Sequence, residues 1–141
     1  MKFLTLFTLL LLGCATNATI DKKPNGEQVL ASLFEASGRN LENEPLCNME
    51  SVSNPKVPYT LKDQLSVVLS PSYDNENKTN IQTNCNPSKH DADNNQVMDI
   101  WDCALIVSET SSAGEFISSS TIAFGLTKVD FKFVPQSLRC F

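Results

Sequence analysis

The residues best spaced for chemistry are Asp91, Asp93, Asn95, Asp99 and Asp102. They fall at the first, third, fifth, ninth and twelfth positions of a calcium loop, where carboxylate and amide oxygens would converge on a hard cation. Met98 supplies the apolar eighth position. Two departures weaken the pattern. Gln96 stands where glycine makes the sharp turn, and Asp102 reaches less far than the usual Glu. The residues that follow also read as a strand rather than a helix. A solvated acidic loop is therefore the preferred reading. The alternative keeps Asp91 to Asp102 as the working part of a small secreted hydrolase or a calcium-dependent protein.

Other chemistry is sparse. His90 is the single histidine and lies in an Asn/Asp-rich stretch. Glu109 and Glu115 flank a turn, a position at which acids are ordinarily only solvated. No Gly-x-Ser-x-Gly element occurs. No pair of cysteines has Cys-x-x-Cys spacing, so a zinc site is not expected. No catalytic constellation emerges, and no cofactor is expected.

The five cysteines are more informative. An odd number in an exported protein leaves a reactive thiol unless one cysteine is otherwise used. Cys14 ends an apolar run, Phe3 to Leu12, that follows Lys2. The run is shorter than the roughly 20 residues needed to span a bilayer and has the length of a secretory h-region. Leu11-Leu12-Gly13-Cys14 resembles the lipobox of bacterial lipoproteins. The resemblance implies cleavage before Cys14, a diacylglycerol on its thiol, and attachment to the cell envelope through an N-terminal lipid anchor. Ala15 in place of Asp after that cysteine implies the outer membrane. Ordinary signal-peptidase cleavage after Ala15 is the alternative, giving a secreted or periplasmic soluble chain. Either cut leaves Cys47, Cys85, Cys103 and Cys140, an even set suited to two disulfides in an oxidising compartment.

The chain thus divides into a signal peptide (1–13), a tether (14–23) and a single globular α+β domain (24–141). Cleavage before Cys14 removes Lys2 and no acid, moving the net charge from −5 to −6. An acidic balance argues against nucleic acid as a partner.

Within the domain, Asn25 to Arg39 reads as a helix with Asn25 and Gln28 at capping-box spacing and Gly38 as its stop. The segment 40–59 is broken by Pro45, Pro55 and Pro58. Val67-Val68 before Pro71 point to a strand from about Gln64. Ser72 to Gln96, long and polar, reads as an ordered exposed loop pinned by Cys85. Met98 to Glu109 reads as a central strand covered on both faces, with Trp101 in the core. Phe116 to Leu126 is a second strand, and Val129 to Val134 a third beyond a Thr127-Lys128 hairpin.

The expected fold is α+β: one N-terminal helix packed on a mainly antiparallel sheet with a C-terminal three-strand meander and two disulfides. In such a meander Cys103 and Cys140 lie at opposite ends, too far apart to bridge. Two pairings remain, of which Cys85–Cys103 with Cys47–Cys140 is preferred. The expected function is a non-enzymatic binding module, inhibitor-like or immunity-like, that takes an envelope or foreign protein on the exposed loop.

Overall fold

The computed structural model describes residues 22–44, 47, 57–70, 76–92 and 96–141. The expected leader, Cys14 and most of the expected tether fall outside them.

Two helices, α1 (Gly26–Glu35) and α2 (Leu61–Val68), and a short 3-10 turn (Leu41–Asn43) precede a four-stranded sheet. The strands are β1 (Lys78–Ala92), β2 (Gln96–Thr110), β3 (Phe116–Thr127) and β4 (Arg139–Cys140), paired in sequence order. Every pairing is antiparallel.

Helix α1 starts as its sequence dictates. The Asn25 side chain accepts from Gln28 N at 2.9 Å, and the Gln28 side chain accepts from Asn25 N at 3.0 Å. Val29 and Leu33 fall on the buried stripe. The helix ends at Glu35, earlier than the expected Arg39. Helix α2 stands where a strand was expected. Thr60 and Asp63 form a second capping box that satisfies the Asp63 and Thr60 amides, Leu61 N and Lys62 N donate to Arg39 O and Ser37 O, and Leu61 and Leu65 then fall on one buried face. The β-branched pair Val67-Val68 does not outweigh that cap, and Val67 remains 66% exposed.

The segment expected to be a loop is largely strand. Lys78 to Ala92 pairs with β2 along its whole length, from Lys78 opposite Thr110 to Ala92 opposite Gln96. The hairpin tip, with Asp93 and Asn95, lies outside the described residues.

The expected third strand is corrected too. After Thr127 the chain turns tightly. Thr127 N donates to Lys132 O at 2.8 Å, and Phe131 takes a positive φ of 55°. Val129, expected to face inward, is 78% exposed. The chain touches β3 again at Phe133 opposite Leu126, bulges past Gln136, and resumes pairing at β4.

One hydrophobic cluster joins Val29, Leu33, Leu41, Leu61 and Leu65 to Trp101, Cys103, Leu105, Val107, Ile122, Phe124 and Leu126 of the sheet. Both helices therefore lie on one face of the sheet, called the inner face below. Trp101 is in this core, as expected. Coverage of β2 on both sides holds only at Ile100, which is buried, whereas Ala104 and Ile106 on the outer face are half-buried.

Two bridges complete the frame, Cys85–Cys103 and Cys47–Cys140. This is the preferred pairing, reached by a different geometry. Cys140 lies opposite Ile122 on one side of β3, and Cys103 lies opposite Phe124 on the other. An intervening strand separates them, not the length of a meander.

Candidate functional site

Strand alternation sorts the β1–β2 hairpin into two rows. Thr79, Ile81, Thr83 and Cys85 face the helices. Asn80, Gln82, Asn84 and Asn86 face out and are all exposed. The described helices pack on the other side, so these four amides form a polar row that no described helix covers. Each carries both donors and acceptors. Ser88 and His90 continue the row and are half-buried.

At the His90 end a cavity of about 230 Å³ opens on the outer face. Ser88 and His90 border it on one side, Gln136 and Arg139 on the other, and Ile100 and Gly125 lie between. Gly125 has no room for a side chain. A Cβ there would approach Ile100 Cδ1 to 2.9 Å and Ser137 Oγ to 3.1 Å. Ser137 Oγ instead accepts from Gly125 N at 2.7 Å and donates to Val134 O at 2.6 Å, which fixes the bulged chain over β3. Arg139 Nη2 donates to Asp102 Oδ1, holding β4 to β2 across the outer face. Nε2 of His90 is enclosed and has no partner among the described residues.

The described calcium candidates do not share one face of the hairpin. Asp99 pairs opposite Lys89 and shares the Trp101 side of β2, whereas Asp102 lies on the outer face with Arg139. Asp91 is exposed on the inner-face row. Asp93 and Asn95 lie outside the described residues. Among the described residues, no group of three or more His, Cys, Asp and Glu is placed to hold a metal ion. Glu109 is engaged as an acceptor from Asn77 Nδ2 at 3.1 Å.

A second polar feature had no sequence signal. Glu44 is 2% exposed, and its carboxylate accepts from Gln136 N at 3.3 Å and Leu138 N at 3.1 Å. Arg39 Nη1 lies 3.9 Å from the same carboxylate. Glu44 therefore clamps the bulged segment three residues from Cys47, beside the bridge to Cys140.

Burial, then the neighbouring Asp63 charge, raises the Tyr59 hydroxyl above its ordinary value; the other resolved shifts lie at a cap and a turn. The Thr60 hydroxyl, then the Thr60 N–H, holds the Asp63 carboxyl below its ordinary value. The Thr127 hydroxyl, then Lys132, does the same for Asp130. Hydrogen bonding to Asp130 raises Lys132.

No family model matches the chain, and no curated protein or solved structure is significantly similar to it.

Proposed function

We propose that this chain is an exported, lipid-anchored protein of the bacterial envelope that acts as a non-enzymatic binding module. Its contact surface is the outer face of the β1–β2 hairpin rather than a loop. The observation that carries this reading is the row Asn80, Gln82, Asn84 and Asn86, four exposed amides on a sheet face that no described helix covers.

Two features support the address. The lipobox-like Leu11-Leu12-Gly13-Cys14 opens the chain, and the two bridges suit an oxidising compartment. With Cys47, Cys85, Cys103 and Cys140 joined, Cys14 is left over by count, which is the parity a lipid-bearing cysteine requires. The partner is a protein, of the envelope or foreign to it. The net charge, −5 for the whole chain and −6 after cleavage before Cys14, suits a basic partner surface.

The test is capture of partners from envelope extracts by the intact protein and by a variant with Asn80, Gln82, Asn84 and Asn86 all changed to Ala. These side chains point into solvent, so circular dichroism and the melting temperature should change little. The expected result is loss of capture with the fold retained. Undiminished capture by a folded variant would reject this face as the contact.

A further inference from the structure

The hydrogen-bond pattern fixes which peptide groups of β1 are unused. Thr121 N and Phe141 N donate to each other's carbonyls at 3.0 and 2.9 Å, and Val134 N donates to Gly125 O at 2.9 Å. Odd-numbered residues of this part of β3 thus turn their peptide groups toward β4, and even-numbered ones toward β2. Phe124 lies opposite Cys103, so Cys103 bonds toward β3. Cys85 and Cys103 are then a pair without ladder bonds, in keeping with their Cα separation of 4.0 Å. It follows that Thr79, Ile81, Thr83, Cys85 and Pro87 direct their backbone polar groups away from β2, to the open edge of the sheet. Pro87 fits there because the N–H it lacks would have faced outward.

Natural edges are blunted by charges and proline. Here the strand's own guards, Lys78 and Pro87, stand only at the limits of the run 79–86, which has eight residues and no charge. The run is rich in β-formers, and Ile81 is 49% exposed. Lys23 Nζ reaches Asn84 Oδ1 at 3.3 Å from the helix side, so its flexible side chain passes over this edge. No backbone hydrogen bond occupies the edge among the described residues.

We infer that a second copy of this chain pairs with this edge, antiparallel, about a two-fold axis at Gln82. Thr79 would face the second copy's Cys85, and Ile81 its Thr83, each pair exchanging both backbone bonds. On the outer face Asn80 would lie opposite Asn84 of the second copy, and the two Gln82 side chains would meet on the axis. Every facing pair from 79 to 85 is uncharged. Centring on Asn84 would bring Pro87 opposite Ile81 and lose a donor. Centring on Asn80 would leave Cys85 beyond the β1 strand of the second copy. The product is a closed dimer with one eight-stranded sheet and a polar outer face twice as wide. Strand pairing alone makes a small interface, so association should be micromolar or weaker. The inference does not depend on the lipid anchor or on the proposed partner.

Sedimentation velocity of the disulfide-bonded protein over a concentration series tests it. The natural sequence should show a monomer–dimer equilibrium. Ile81→Lys and Thr83→Pro, which place a charge or remove a donor at the open edge, should each weaken it by about tenfold or more, with the circular dichroism spectrum unchanged. Under mild oxidation Gln82→Cys should cross-link two copies, whereas Asn80→Cys and Asn86→Cys should not. A protein that stays monomeric up to about 1 mM, even if it captures a foreign strand, would overturn the inference. So would dimers unaffected by both variants, or cross-links that form as readily at 80 or 86.

Discussion

Cys85 and Cys103 face each other directly across β1 and β2, both almost fully buried, with their Cα atoms 4.0 Å apart. This bridge fastens the edge strand to the centre of the sheet. The second bridge, Cys47–Cys140, does different work. It ties Cys47, which follows the 3-10 turn, to the last strand, across a separation of 93 residues against 18 for the first.

The two bridges should therefore differ in weight. Closing a longer loop removes more entropy from the unfolded chain, which gives about 4.5 kcal/mol for Cys47–Cys140 and about 3 kcal/mol for Cys85–Cys103. Urea unfolding of the two paired Cys→Ala variants measures this. Loss of Cys47–Cys140 should be the more damaging change, and the opposite order would contradict the loop-closure argument.

Glu44 should be needed for the C-terminal bulge. Glu44→Ala would leave the N–H groups of Gln136 and Leu138 without their acceptor and should cost about 3 kcal/mol. Glu44→Gln keeps one acceptor oxygen and should cost less. Hydrogen exchange should show the Leu138 amide losing protection in the Ala variant. Unchanged protection and stability would remove Glu44 from this role.

Acid should weaken the caps before the core. The carboxyls of Asp63 and Asp130 are held below their ordinary value of 3.8 in the folded chain. Their contributions are thus complete above that value and disappear as pH falls through the lowered one. Lys132 is raised above 10.5, so its contribution is complete below that value and disappears as pH rises through the raised one. Stability should be flat across the neutral range and fall below about pH 4. Thr60→Ala removes the α2 cap, should cost about 1 kcal/mol at neutral pH, and should shrink the acid-dependent loss. An acid limb identical in both proteins would show that Asp63 does not contribute to it.

The parts legible in the sequence are those with a local cause. The Asn25–Gln28 cap, the inward alternation of Trp101, Cys103, Leu105 and Val107, and the start of β3 each follow from neighbouring residues. The even set of bridging cysteines is equally direct. Strand β1 was hidden because one of its faces is amide and its other face carries threonines, Ile81 and Cys85, so no strong apolar alternation marks it. The T-x-x-D cap of α2 was overshadowed by Val67-Val68. The alternation of Val129, Phe131 and Phe133 imitated a strand, but Phe131 sits at positive φ in a turn. Arg139–Asp102 and Glu44–Leu138 join residues far apart in sequence, 37 and 94 positions respectively, and no local pattern announces them.

The address on which the proposed function rests is most directly tested by intact-mass spectrometry of the protein isolated from its native host, without reduction. The expected species begins at Cys14, carries a diacylglycerol on that residue and retains both internal disulfides. A chain that retains Met1, or one whose cysteines are all free thiols, would contradict it.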